Sequence, residues 1–340
     1  MEHTKNTALV LGATGGIGGE MMRQLLAAGW QVRALTRAEA PSPRRDSIEW
    51  LRGDALSRAD VLAAAKGCAV IVHAVNPPGY RNWGQLVLPM LDNTIAAAIA
   101  EGATIVLPGT VYNFGPDAFP ASGDLLAEDA PQRPLTRKGA IRVELEARLE
   151  WASTQGARVI IVRAGDFFGP RAGNNWFSQG LVKPGQEVRK VLYPGAPGVG
   201  HQWSYLPDVA RTMLQLLAIR DTLPPFARFH MAGHWDHDGR QMTGAIARVV
   251  EQATGAAPAM RRFPWWLVAL ASPFVATLRE MREMRYLWQT PLRMGNAHLL
   301  AVLGQEPHTP LDEAVRASLE GMGNLRKATG KKNAPGLPAR

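Results

Sequence analysis

A turn at residues 12–18 constrains this chain more than any other segment. Four apolar residues, Ala8-Leu9-Val10-Leu11, run into Gly12-Ala13-Thr14-Gly15-Gly16-Ile17-Gly18, and an amphipathic stretch follows. A chain that leaves a strand, turns sharply and enters a helix needs glycine wherever a β-carbon would block the path. The spacing Gly12-x-x-Gly15-x-x-Gly18 also presents backbone N–H groups at a helix N-terminus, where the dipole favours an anion. At the start of a βαβ unit it predicts a pyrophosphate cradle for a nicotinamide dinucleotide, formed by Gly12, Thr14, Gly15, Gly16, Ile17 and Gly18.

The end of the second strand bears on which dinucleotide. An NAD site places an acidic side chain there to hold the ribose 2′-hydroxyl. Here the stretch reads Val32-Arg33-Ala34-Leu35-Thr36-Arg37, with no carboxylate before Glu39. Arg37 offers a planar guanidinium for a 2′-phosphate, and Arg44 and Arg45 add charge from the following loop. The expectation is NADP(H) over NAD(H), with a solvated loop residue as the plain alternative for Arg37.

Beyond the turn, short β-branched runs alternate with helical stretches. Strands are predicted at 7–11, 31–36, 48–51, 70–74, 104–107 and 158–163, and helices at 17–28, 57–65, 85–101 and 135–154. Continuous apolar strands suit a parallel sheet covered on both faces. The alternation predicts an α/β fold with a doubly wound parallel (Rossmann) sheet and a smaller, mostly helical C-terminal substrate domain. On this reading residues 1–165 form the NADP-binding domain, with 203–232 returning to it. Residues 166–202 and 233–324 form the substrate domain. Loop is expected over most of 166–200, then a helix at 208–219, a strand at 226–231, a helix at 239–254, and helical structure from about 258. Pro310 is expected in the first turn of the last helix.

The formal net charge of +9 invites a nucleic-acid reading until it is located. Arg326, Lys327, Lys331, Lys332 and Arg340 supply five of those charges from a Gly/Pro-rich, acid-free tail, 325–340, read as disordered. The rest is spread thinly, with no basic and aromatic stripe, so no nucleic-acid partner is expected. The single cysteine, Cys68, excludes an intrachain disulfide framework and suits a cytoplasmic protein. The most apolar stretch, 265–277, is too short to span a bilayer and contains Pro273. A pocket wall or buried helix is the leading reading, so no membrane association is expected; an interfacial membrane helix or an oligomer contact is the alternative.

Five further segments, in order, now resemble the extended short-chain dehydrogenase/reductase family, the NAD(P)-dependent epimerase/dehydratase group. The resemblance runs from about residue 7 to 250 and more loosely to 320. Gly53-Asp54-Ala55 matches the acidic dipeptide facing the adenine, which implicates Asp54 and Ala55. Val72-His73-Ala74-Val75 matches the segment passing the adenine ribose, which implicates Ala74 and Val75. Thr110 to Gly115 resembles the serine-bearing strand end. Residues 163–170 resemble the segment ending in Phe-Gly-Pro, and 203–210 resemble the segment in which an Asp begins a helix. The resemblance implies a small-molecule substrate, such as a sugar nucleotide, and a homodimer through helices 85–101 and 135–154.

The catalytic pattern departs from that family. Its oxidoreductases use a Tyr-x-x-x-Lys pair with a Ser or Thr that polarises the carbonyl. Four residues after Tyr80, Tyr112, Tyr193, Tyr205 and Tyr286 come Gly84, Pro116, Pro197, Val209 and Thr290, so the pair is absent. Matching the helix at 136–146 puts Lys138 at the Tyr position and Arg142 at the Lys position, on one helix face. Thr110 then takes the hydroxyl position; in another register Pro108 does. A lysine ammonium beside a second cation has the chemistry of a proton donor, and Arg142 could hold the nicotinamide ribose. Cofactor contact alone, or a solvated face, are the other readings of the pair. The chain therefore reads as an NADP(H)-dependent oxidoreductase or epimerase-like enzyme, with a non-catalytic NADP(H) sensor or scaffold as the rival.

Other constellations carry less. His230, His234, His237, Asp236 and Asp238 fall around Gly233 with no helical register, and no metal site is expected. Asp208 reads as a helix N-cap beside Pro207. Trp176, Phe177, Trp203, Trp265 and Trp266 fall in the substrate domain, where they line a pocket or pack in the core.

Overall fold

The apolar runs of the N-terminal half pair side by side. In this computed structural model, which describes residues 6–39, 44–45, 48–77, 83–118, 125–171, 173 and 175–325, the first half reads in order: β1 (Thr7–Leu11), α1 (Gly16–Ala27), β2 (Gln31–Thr36), β3 (Arg44–Arg45), β4 (Ile48–Arg52), α2 (Arg58–Ala65), β5 (Val70–His73), α3 (Trp83–Glu101), β6 (Thr104–Thr110), α4 (Arg137–Thr154) and β7 (Arg158–Ala164). There follow β8 (Asp166–Phe168), β9 (Lys190–Tyr193), β10 (His201–Tyr205), α5 (Leu206–Ala218), β11 (Phe226–His230), β12 (His234–Asp236) and α6 (Gln241–Thr254). The chain continues through β13 (Ala259–Arg262), α7 (Trp265–Ala271), α8 (Ala276–Glu283), α9 (Ala297–Leu303) and α10 (Leu311–Gly321). Of the tail read above as disordered, 325–340, Leu325 instead packs in a core beside α10, and 326–340 lie outside the described residues, as do Tyr80 and the side chains of Arg44 and Arg45.

The main sheet runs β11-β7-β6-β5-β1-β2-β4, all parallel, with the two-residue β3 antiparallel at its edge. Its central strands β1, β5, β6 and β7 are buried on both faces, which explains their unbroken apolar runs. Ala8, Val10, Val70, Val72, Val106, Ile160 and Val162 face one core with Met21 and Leu25 of α1 and Met213 and Leu216 of α5. Leu9, Leu11, Ile71, Ile105, Leu107, Val159 and Ile161 face the other with Val61 of α2, Leu91 of α3 and Leu145 of α4. The period-two alternation thus serves two cores at once. This is the doubly wound α/β fold expected from the sequence.

The order reverses at β1, which has β2 on one side and β5 on the other. Crossovers leave in opposite directions there, so the C-terminal ends of β1 and β5 open a crevice.

The C-terminal part combines α6–α10 with two small sheets, β12-β10-β8 and β13-β9. These strands are three to five residues long and several fall where loop or helix is expected from composition. β13 occupies 259–262, ahead of the helices, and Pro310 sits at the N-cap of α10 rather than inside it. A third core joins Phe168, Phe177, Trp203 and Trp288 to α6 and α10. The stretch 265–277 departs from the buried helix expected of it. It forms α7 and the turn into α8, and Val268 is the one buried residue of α7. No helix among the described residues is long and apolar enough to cross a membrane.

Candidate functional site

The crevice beside β1 encloses about 1010 Å³. Its floor is the glycine turn. Gly12 holds φ +87°, and a β-carbon there would collide with the Ala74 carbonyl; one on Gly18 would collide with the Gly12 carbonyl. These two glycines let β1, α1 and the end of β5 meet backbone to backbone. Gly15, the N-cap of α1, instead faces the opening, and no side chain caps the helix nor does an acid stand in its first turn. The helix N-terminus is left to meet an anion from outside the chain. A β-carbon-free cradle with uncapped N–H donors fits a dinucleotide pyrophosphate.

Thr14, Gly15, Gly16 and Ile17 line the crevice together with Gly12, Arg37, Asp54, Ala55, Ala74 and Val75, whereas Gly18 supports the turn from behind. Arg37 is exposed just after β2, beside Thr36, whose hydroxyl accepts the Ala38 N–H at 3.2 Å. Asp54 is held in its own turn, where it accepts the Leu56 N–H at 3.0 Å and gives its own N–H to Asp60 at 2.8 Å. The Ala55 carbonyl is tied to Asn93 of α3 at 2.9 Å.

The far end of the crevice gathers residues from β6 and α4. Thr110 ends β6 and lines the crevice, while its hydroxyl accepts the Tyr112 N–H at 3.3 Å. Pro108, the other register's candidate, lies inside the strand opposite Val162. Thr136 caps α4 by accepting the Gly139 N–H at 3.0 Å. A β-carbon on Gly139 would strike the Tyr112 carbonyl, so glycine lets the first turn of α4 press against the end of β6. That contact brings Arg142 to the crevice wall, where it donates to Asn76 at 3.3 Å and stacks 5.1 Å from the Trp83 ring centre. Lys138 is buried one turn earlier, with its ammonium 6.0 Å from the same ring, and does not line the crevice.

The resemblance assigned no site role to Trp83, Asn76, Asn175 or Tyr112, the last inside the matched 110–115 segment, yet all four line the crevice. Trp83 is the first residue of α3, ahead of the helix start expected at Gln85. A tryptophan at a helix end carries no local mark that distinguishes it from a core residue. Beneath the crevice floor, His73 of β5 bonds Thr94 at 2.8 Å. Thr94 donates its own proton to the Met90 carbonyl at 3.1 Å, so the His73 Nδ1 is the donor to Thr94. Burial first, and then the Arg142 charge, push the His73 pKa down to about 3, so the ring is neutral.

Behind Thr110 lies a buried polar cluster. Arg163, fully enclosed at the end of β7, pairs with Glu146 of α4 through contacts of 2.9 and 2.5 Å. It also donates to the His230 Nε2 at 3.0 Å, and Asn113 donates to Glu146 at 2.9 Å. The cluster ties α4 to the sheet and to the 111–113 turn that present Arg142 and Thr110.

The remaining motif residues serve structure. The Asp236 carboxylate accepts the Gln241 and Met242 N–H groups at 3.1 and 3.0 Å and so starts α6. His234 packs against His308, with ring centres 4.4 Å apart and the rings tilted by 44°. Asp208 is not the N-cap expected of it, because Tyr205 takes that place. Its carboxylate instead receives the Thr309 N–H at 2.7 Å and the Arg211 guanidinium, which docks the loop before α10. Trp176, Trp203 and Trp265 pack in an aromatic cluster around Trp288, whereas Trp266 is exposed.

Solved structures share this fold at low identity. MoeE5 in complex with UDP-glucose and NAD superposes with a TM-score of 0.71 at 19% identity, covering 93% of this chain and 98% of that one. The Thermus thermophilus UDP-glucose 4-epimerase complex with NAD gives 0.67 at 19%, with the same coverage. The Bordetella bronchiseptica enzyme WbmH in complex with NAD+ gives 0.66 at 17%, covering 95% and 98%. No curated protein matches the sequence. The family model for the NAD dependent epimerase/dehydratase family matches residues 8–232, the stretch from β1 through the end of β11 that builds both walls of the crevice. With the glycine turn, the strand reversal and that match in agreement, the chain belongs to the NAD dependent epimerase/dehydratase family.

Proposed function

We propose that this protein is an NADP(H)-dependent enzyme that oxidises or reduces a carbon–oxygen centre of a small substrate, with a sugar nucleotide as the leading class. The observation that carries this is one continuous crevice that has Arg37 and the glycine cradle at one end and Thr110 and Arg142 at the other. Bound there, a nicotinamide dinucleotide supplies a hydride donor or acceptor. The chain's own residues do the rest. Backbone N–H groups of the turn meet the pyrophosphate, Arg37 meets a 2′-phosphate, and Arg142 holds the nicotinamide ribose from the Trp83 wall. The Thr110 hydroxyl orients the reacting oxygen, and Lys138, buried behind the crevice wall one turn before Arg142, is the first candidate for the proton donor. The structural relatives named above hold NAD, and the preference for NADP(H) rests on Arg37 and on the absence of an acid at the end of β2.

Arg37→Ala is expected to weaken NADPH binding by roughly 10–100-fold and leave NADH unchanged, because only the charged pairing is lost. Titration of both cofactors by protein fluorescence checks this; an equal loss for the two would refute the 2′-phosphate role.

A second reading of the proton donor is favoured by Tyr112, whose side chain belongs to a crevice-lining residue where Lys138 does not. Lys138→Met and Tyr112→Phe separate the two. The donor's variant should lose roughly 10²–10⁴-fold in turnover with NADPH affinity intact, and the other should lose little. Turnover is followed as NADPH oxidation across aldehydes, ketones and nucleotide sugars. Tight NADPH binding with no turnover on any of them would favour the sensor reading instead.

A further inference from the structure

Away from the crevice, α7 and the turn into α8 carry an unusual surface. Trp266, Leu267, Leu270, Phe274 and Val275 are 69, 46, 69, 88 and 44% exposed. Singly, exposed apolar residues are ordinary; five large ones within ten positions are not. Trp266, Leu270 and Phe274 follow at intervals of four, so the first two share the outer face of α7 and Phe274 extends it into the turn. The opposite side of α7 is pinned. Val268 is buried, the Trp265 indole donates to the Pro194 carbonyl at 2.7 Å, and the Arg285 guanidinium lies 5.1 Å from the Trp265 ring. The apolar face is therefore held outward by a fixed base.

Cations flank this face along the chain. Arg261 and Arg262 are exposed on β13 just before α7, and Arg279 and Arg282 are exposed on α8. None of the four forms an ion pair among the described residues; Arg282 donates to the Ser272 hydroxyl, at 3.3 Å. Glu283 of α8 is turned toward α4, where it accepts the Arg137 N–H at 2.9 Å.

We propose that this face docks on the surface of an anionic lipid bilayer. Trp266, Leu270 and Phe274 would enter the boundary between headgroups and acyl chains, and the arginines would meet lipid phosphates. The seven-residue α7 is far too short to span, so the contact is interfacial. Two features select this occupant. An indole and a phenyl ring flanked by arginines match the polarity profile of a bilayer, apolar at depth and anionic at the headgroups. A second copy of the chain across a two-fold axis would instead bring like-charged guanidiniums together.

Co-sedimentation of the full chain with vesicles tests the proposal. Binding is expected to phosphatidylcholine vesicles containing phosphatidylglycerol, and to weaken at least about tenfold on phosphatidylcholine alone or at high salt. Leu270→Asp/Phe274→Asp should abolish binding, and Arg261→Ser/Arg262→Ser should weaken it about tenfold or more. Circular dichroism and NADPH affinity, unchanged in both, show that these surface variants fold. The basic C-terminal residues are present in every variant, so wild-type binding by Leu270→Asp/Phe274→Asp would assign binding to them and overturn the proposal. No binding by the wild-type chain would do the same. So would a wild-type dimer that the aspartate variant converts to monomer without any vesicle binding, because a second copy would then cover the face.

Discussion

Replacing Arg163 by methionine is expected to cost the fold about 3–5 kcal/mol, read as a lowered urea midpoint at an unchanged slope. Arg163 is fully buried, and its guanidinium is the main counter-charge of Glu146, itself 3% exposed. Removing it leaves a carboxylate in the interior, with the Asn113 and Gln132 amides and the more distant Arg228, 3.5 Å away, as polar support. Removing both charges should be far milder. Arg163→Met/Glu146→Gln is expected to recover most of the loss, since the amide keeps its neighbours without a charge to solvate. A single variant within about 1 kcal/mol of wild type would show that water or rearrangement rescues Glu146. A functional consequence comes with the loss of stability, because the same pair ties α4 to the end of β7, and Arg142 rides on α4 one turn before Glu146.

The second large effect is acid sensitivity. Burial, assisted by Arg142, holds His73 at about 3, and burial, assisted by Arg163, holds His230 at about 3, against 6.5 for a free ring. Both histidines therefore fold neutral, and the unfolded chain takes up the proton first. Their contribution is complete above pH 6.5 and is lost as pH falls from there toward 3. From pH 7 to pH 5 each ring should remove about 2 kcal/mol of stability, or about 4 kcal/mol together. His230 is neutral for a visible reason: it accepts from Arg163, so its other nitrogen must be the donor to the Leu126 carbonyl, at 3.3 Å. Urea unfolding at the two pH values, on wild type and on His73→Gln and His230→Gln, isolates each share. An unchanged pH dependence in both variants would mean that neither ring titrates on unfolding.

Much of the crevice is legible in the residues themselves. The glycine turn identifies the cradle because Gly12 and Gly18 answer a backbone demand that almost no other residue meets, and that demand is local. The two-faced strands are legible for a similar reason: Leu9, Val10 and Leu11 must all be apolar when both sheet faces are covered. That Lys138 and Arg142 share one face of α4 is helix periodicity, whereas their place at the far end of the crevice came from the resemblance, and Arg142 does lie on that wall with the end of β6. Depth was not legible. Lys138 and Arg142 look equivalent along the helix, yet Arg142 lines the crevice and Lys138 is buried against Trp83.

The main sheet and the position of its anion cradle follow from local pattern, because period-two burial and glycine geometry act over a few residues. Which distant side chains meet is a matter of the folded chain. Folding joined Arg163 to Glu146 and His230, sent Asp208 to Thr309 instead of to its own helix end, and set Trp83 beside Arg142. It also turned the apolar face of α7 outward, since Trp265 and Val268 found partners on the body and Trp266, Leu270 and Phe274 did not. One cause underlies each case. A side chain's polarity states what environment it needs, and packing between elements far apart in the chain settles which partner supplies it.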